Sequence, residues 1–232
     1  EHILELNESN VEMIEKTDEI ESLYNQSAAM NETLQQVLDE VQNGYIVTVR
    51  SLSNAIEAKD KYTKGHCESV TTYSMQIAKV LGLAEADLRI LEYSALLHDV
   101  GKIGIPSDIL NKPSKLTLEE FEVIKKHPEI GYEILKDIDF LKRSAKIIYQ
   151  HHERIDGKGY PRGIIGDELD ILTRIITVTD AYDAMTSARP YRLEPLSHDK
   201  AMRILREGSG TQFDAQVIEA FDSVLRDQGT VI

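Results

Sequence analysis

The chain has 232 residues, 41% hydrophobic and 28% charged, a composition that excludes a disordered chain and suits one sizeable domain, or a domain plus an extension. No apolar run approaches the ~20 residues that span a bilayer, and one cysteine excludes an internal disulfide framework and fits a reducing compartment. The net charge of −14 argues against nonspecific binding to a nucleic-acid polymer, which needs Lys and Arg to neutralise phosphates.

Residues 1–43 contain no Pro and no Gly, and hold eleven acids against Lys16 alone. Placing Ile3 at heptad position a puts Asn10, Thr17, Tyr24, Asn31, Leu38, Tyr45 and Leu52 in the same row. Position d then carries Leu6, Met13, Ile20, Ser27, Leu34, Val41, Thr48 and Ala55. Eleven of these sixteen positions are apolar, which predicts a long coiled-coil-like helix over residues 1–44 that pairs with a second copy. The alternative is an amphipathic helix lying on its own domain. Gly44 is the weak point before a second region, 45–232. That region is nearly charge-balanced, with 29 acids and 25 bases over residues 44–232, and can accept an anion locally. The chain opens on Glu1, without an initiator Met or signal peptide, and reads as part of a longer protein.

From residue 53 the pattern is helical throughout, so the fold class is all-α. Val70, Tyr73, Ile77, Ala78 and Leu81 form one stripe, ended by Gly82; Leu88, Leu91, Ala95 and Leu96 form the next. Thr117-Leu-Glu-Glu120 is a capping box that opens a helix through Phe121 and Ile124. Ile130 to Leu135 and Leu141 to Tyr149 follow. Leu169 to Met185 reads as a long buried helix despite its β-branched centre, because of its length and the lack of a strand partner. Met202–Leu205 and Val217–Leu225 supply the last two. Gly101–Pro113 and Asp156–Gly166 read as loops.

Five of the seven histidines fall where a helix or its end faces inward: His66, His98, His127, His151 and His152. His2 and His198 lie in polar surroundings and read as surface residues. His98-Asp99 closes an apolar helix, and burying a bare carboxylate there is costly without a partner. A divalent cation satisfies both groups; a buried His–Asp hydrogen bond is the alternative. Tandem side chains such as His151 and His152 diverge by ~100° on a helix, so they converge on one cluster only at a helix end, or across more than one ion. Asp180 adds a further carboxylate, unless it serves as a cap or an ion-pair partner. Five histidines and two aspartates exceed one tetrahedral zinc site and suffice for two octahedral ions.

His98-Asp99-Val-Gly-Lys102-Ile-Gly-Ile-Pro106 and His151-His152-Glu153-Arg154-Ile-Asp156-Gly157-Lys158-Gly159-Tyr160-Pro161 resemble the HD-GYP family. These are metal-dependent phosphodiesterases of the HD superfamily that hydrolyse the bacterial second messenger cyclic di-GMP. The resemblance covers roughly residues 45–226. It extends to Thr63-Lys-Gly-His66, His127-Pro128, Asp180-Ala-Tyr-Asp183-Ala-Met, Arg189-Pro-Tyr-Arg192 and Gly210-Thr-Gln-Phe213-Asp214. It implies an HD-superfamily helical bundle with extra carboxy-terminal helices. It also implies two divalent transition-metal ions, Fe or Mn first and Ni or Zn as alternatives. His66, His98, Asp99 and Asp180 would hold one ion, and Asp99 would bridge to a second held by His127, His151 and His152. Tyr62 stands where some members carry a Glu for a third ion, and Ala215 where the family often has Pro.

The implied reaction gives linear pGpG, and by further cleavage GMP, through hydroxide between the two ions, with Asp99 and Lys102 as catalytic groups. Lys102, Arg189 and Arg192 would bind phosphate or base, and Tyr160 and Pro161 would shape the substrate pocket. Each cation could instead be a solvated charge or a surface ion pair, and Cys67 reads as a small buried or half-buried residue rather than a ligand. Two alternatives share the metal site: hydrolysis of another cyclic dinucleotide such as cyclic GMP-AMP, and dinucleotide binding without turnover. A signal from an upstream sensory or receiver domain would pass through the amino-terminal helix. The expected location is the cytoplasm, free or as the cytoplasmic part of a membrane-anchored protein.

Overall fold

The computed structural model describes residues 2–60, 65–188 and 194–227. Tyr62, Thr63, Arg189 and Arg192 lie outside them. Among the described residues the chain is helical, with two isolated bridges and no sheet. Among the described residues no helix is long and apolar enough to cross a membrane.

Helix α1 (His2–Glu57) runs without interruption through Gly44. The chain divides into two compact units that meet between Thr48 and Val49. Within the first, the d-position side chains Met13, Ile20, Leu34 and Val41 are all exposed. Leu23, Met30 and Val37, each one residue before an a position, widen the apolar stripe.

The second unit holds α2 (His66–Val80), α3 (Glu85–Leu97), α4 (Ser107–Leu110), α5 (Leu118–Ile124) and α6 (His127–Leu135), then α7 (Lys142–Gln150), α8 (Ile171–Thr186), α9 (His198–Glu207) and α10 (Ala215–Asp227). Its core is built from α2, α3, α8, α9 and α10: Val70, Ile77, Leu91, Ile175, Ile176, Tyr182, Leu205 and Phe221 are essentially inaccessible. The β-branched centre of α8 is helical because it is buried within this layer, where packing outweighs strand propensity. Thr117 and Glu120 form the expected reciprocal cap on α5. Ala215 opens α10 without strain, since the Asp214 carboxylate accepts the Gln216 N–H at 2.7 Å and caps the helix.

Two readings change. The stretch from Gly101 to Pro113 is not plain loop: a 3₁₀ turn covers Val100–Gly104, and α4 follows. His198 is half-buried, not a free surface residue; its ring stacks on Tyr182 and bonds that buried hydroxyl. Polar neighbours in sequence concealed a partner sixteen residues away.

One close approach positions the site. A Cβ at Gly101 would lie 1.8 Å from the His127 carbonyl oxygen. Only glycine lets the 3₁₀ turn after His98-Asp99 seat against the first turn of α6, which carries His127.

Candidate metal centre

His98 is the C-terminal cap position of α3, and Asp99 leads into the 3₁₀ turn. His66 opens α2, His127 opens α6, and Asp180 lies in α8. His151 and His152 follow the last residue of α7, where the backbone turns away. That placement resolves the tandem: at a helix end both rings face one region, with centroids 4.0 Å apart.

The seven groups converge. Donor atoms of His66, His98 and Asp180 all lie within 4.8 Å of one another, as do those of His127, His151 and His152. Asp99 stands between the triads: Oδ2 is 3.5 Å from His98 Nε2 and 3.8 Å from His66 Nε2, while Oδ1 is 3.5 Å from His127 Nε2.

Protonation can be read from the partners. The Nδ1–H groups of His98, His127 and His151 donate to the carbonyls of Ala95, Ile124 and Ile148 at 2.7, 2.8 and 2.6 Å. A carbonyl only accepts, so each ring, when neutral, turns a bare Nε2 lone pair inward. His127 Nε2 and His151 Nε2 then face each other at 3.2 Å with no proton between them. Burial, reinforced by His152, holds the His127 imidazole down at about 3 and the His151 imidazole well below its ordinary value. Two opposed lone pairs that resist protonation are repulsive unless a cation lies against them, so the donor set fits a metal ion. Each triad could hold one.

The other triad differs in charge. Burial opposes protonation of His66, but the Asp180 and Asp183 carboxylates overcome it and raise its imidazole to about 9. His66 donates through Nδ1 to Asp183 Oδ2 at 2.6 Å and faces Asp180 Oδ1 through Nε2 at 3.2 Å. Burial works against ionisation of Asp180 too, yet His66 holds its carboxyl far below the carboxylate range. Asp99 is likewise depressed against its burial, first by Lys102, whose Nζ is 2.7 Å away. Lys102 is more than a solvated loop charge: its ammonium is enclosed between Asp99 and Asp60.

A cavity of about 390 Å³ opens beside this centre, lined among others by Phe121, Lys125, His152, Tyr160, Asp180 and Gln212. Tyr160 lies over His152 at 4.8 Å between ring centroids, and the Lys125 ammonium sits 5.4 Å from the Tyr160 ring centre. Pro161 is exposed and is not part of the lining. Cys67 is buried, and that burial raises its thiol; it belongs to neither triad.

Sequence reasoning did not assign roles to Asp183, Glu153 or Thr177. Asp183 is one helical turn beyond Asp180, a spacing that places both on one face. The buried Glu153 carboxylate accepts the N–H groups of Arg162, Gly163 and Ile164 at 2.7, 3.1 and 3.1 Å, and so folds the loop that carries Tyr160. Thr177 Oγ1 donates to the His151 carbonyl at 2.9 Å and ties α8 to the end of α7.

Residues 50–217 match the model of the HD domain family. The chain is 38% identical over 210 residues to the cyclic di-GMP phosphodiesterase response regulator RpfG of Xanthomonas campestris pv. campestris, covering 90% of this chain and 55% of that protein. It is 39% identical over 188 residues to the 3′3′-cGAMP-specific phosphodiesterase 3 of Vibrio cholerae, covering 81% of this chain and 40% of that protein. It thus spans about half the length of these curated relatives. Among solved structures, Bd1817, an HDG"Y"P protein from Bdellovibrio bacteriovorus, aligns with a TM-score of 0.61 at 25% identity, over 81% of this chain and 62% of that one. The chain belongs to the HD domain family, and its motifs place it with the HD-GYP members.

Proposed function

We propose that this chain is a metal-dependent phosphodiesterase that hydrolyses cyclic di-GMP to linear pGpG, and onward to GMP where the product is retained. The observation that carries the reading is Asp99, which turns one carboxylate oxygen toward each of two buried donor triads. His66, His98 and Asp180 would hold one ion and His127, His151 and His152 the other. Two bound divalent ions would supply an activated water at neutral pH and neutralise charge on the phosphate. Imidazole-rich sites with carboxylates favour Fe or Mn over a purely oxygen-seeking ion, and Ni or Zn remain compatible with the same donors.

The chain's own groups do the rest. Carbonyl partners at Nδ1 fix the tautomers of His98, His127 and His151, so their Nε2 atoms need no reorientation. Lys102 holds a positive charge beside Asp99, where a non-bridging phosphate oxygen can pair with it. The aromatic faces of Phe121 and Tyr160 and the ammonium of Lys125 suit a second nucleotide in the adjoining cavity. Arg189 and Arg192, outside the described residues, are assigned to the same nucleotide on their motif alone.

Its similarity to a cGAMP-specific enzyme favours a second reading, 3′3′-cGAMP as substrate, with the same centre and different base contacts. The test is chromatography of cyclic di-GMP and 3′3′-cGAMP digests beside metal analysis, with Asp99→Asn as control. Linear product from the wild type alone is expected; equal product from the variant would remove the role of Asp99. The exposed apolar stripe of α1 supports a homodimer that receives the signal of an upstream sensory or receiver domain. Sedimentation of this chain beside a fragment starting at residue 45 tests that; a monomer in both cases would remove it. A buried thiol and a second-messenger substrate support a cytoplasmic site of action.

A further inference from the structure

The end of α1 and the three residues that follow it touch the metal centre at two points. The Glu57 carboxylate accepts the Gly65 N–H through Oε2 at 2.8 Å and the Cys67 N–H through Oε1 at 2.9 Å. These are the residues on either side of His66. Gly65, the N-cap of α2, has φ +78° and makes no side-chain cap of its own, so Glu57 takes the place of that cap. Three residues on, the Asp60 carboxylate accepts from Lys102 Nζ at 3.0 Å. Between them, Lys59 Nζ donates to the carbonyls of Ile103 and Ile105 at 2.7 and 2.6 Å, gripping the end of the 3₁₀ turn that carries Lys102. Arg50 pairs with both Glu68 of α2 and Glu92 of α3.

We infer that Glu57 and Asp60 are positioning residues of the hydrolytic centre, Glu57 acting on it through His66 and Asp60 through Lys102. The inference rests on the phosphodiesterase reading and specifies how the amino-terminal helix can regulate that site. One short segment fixes the backbone around a ligand of one triad and the ammonium beside the carboxylate shared by both. A displacement of residues 57–60 relative to α2 would act on both at once. The other triad stands on α6 and α7, which carry none of these contacts.

The two anchors have separable signatures. Metal-free protein is titrated with Mn(II), free ion is followed by electron paramagnetic resonance, and turnover of cyclic di-GMP is measured in parallel. Glu57→Ala is expected to weaken one of two Mn(II) binding events by roughly 10- to 100-fold, the scale for losing a group that orients a ligand, and to leave the other unchanged. Asp60→Asn is expected to leave both binding events unchanged and to lower kcat roughly tenfold. Val224→Ala, a cavity in α10 with a similar loss of Tm, is expected to change neither. If Glu57→Ala does not fold, Glu57→Gln keeps one acceptor oxygen but turns an amide N–H₂ on the other donor, and should show a smaller loss at the same event. Wild-type binding in the Glu57 variants, or equal weakening of both events, would overturn the role of Glu57. Unchanged kcat in Asp60→Asn would overturn that of Asp60. If the wild type binds two ions but cleaves no cyclic dinucleotide, the phosphodiesterase reading falls, while the Mn(II) titration still decides Glu57.

Discussion

The two donor triads are alike in burial and spacing but opposite in electrostatic character. His127, His151 and His152 are three imidazoles with no carboxylate of their own, and burial keeps them neutral. His66 and His98 share their triad with Asp180, and Asp183 backs His66 from behind. The first arrangement contributes lone pairs without charge; the second brings anionic charge and keeps a proton when no cation is present. Asp99 stands between them and turns a carboxylate oxygen to the neutral triad, Oδ1 at 3.5 Å from His127 Nε2. A cation would therefore be held by ligand charge on one side and by preorganised imidazoles on the other.

The sharpest way to break this comparison is to remove the shared carboxylate. Asp99→Asn withdraws charge from both triads and uncouples Lys102, so hydrolysis should fall by roughly 100- to 1000-fold, the scale for one preorganised electrostatic group in a water-excluded site. Asp180→Asn should cost one ion and spare the other, which metal analysis after gel filtration would report. Loss of both ions from Asp180→Asn would mean that the triads do not bind separately.

A smaller effect compares the outer supports of the two sides. Asp183 accepts from the ring of His66, whereas Thr177 only holds the backbone carbonyl of His151. Asp183→Asn should weaken metal binding at its own triad by 10- to 100-fold, and Thr177→Val should weaken binding at the other by less than tenfold. Equal losses in Mn(II) titrations would show that ring orientation matters no more than backbone position.

How much of this was legible in the sequence follows from distance along the chain. His98-Asp99 and His151-His152 announce themselves because adjacent polar residues at the end of an apolar run need a reason to be buried. Most helices were legible from periodicity, and α8 from its length against a local propensity for strand; α4 was not, since it lies in a stretch that reads as loop. Asp183 was readable in principle, one turn from Asp180. Lys59 and Asp60 were not: their partners lie more than forty residues away, in a turn whose conformation no local pattern fixes. Gly101 could be read as a turn glycine, but not as the point where one ligand-bearing turn rests on another. His198 was misplaced for the same reason, since its neighbours in sequence are polar and its partner, Tyr182, is in the core.

The finest distinction between the triads is in protons. In the metal-free protein His66 titrates at about 9, above its unfolded value near 6.5, so its contribution to stability is complete below pH ~6.5 and is lost as pH rises through about 9. His127 titrates at about 3, below its unfolded value; there the unfolded chain binds the extra proton, and stability is lost as pH falls from ~6.5 toward 3. The Tm of metal-free protein should thus peak near pH 6.5 and decline on both sides. An ion entering the His66 triad at pH 7 must displace a proton, while an ion entering the His127 triad displaces none. Calorimetric titration in two buffers of different ionisation enthalpy should therefore show about one proton released for one binding event and none for the other, the difference vanishing above pH ~9. Equal proton release from both events at pH 7 would erase the electrostatic contrast between the triads, because it would mean that both imidazole sets hold the same charge before metal arrives.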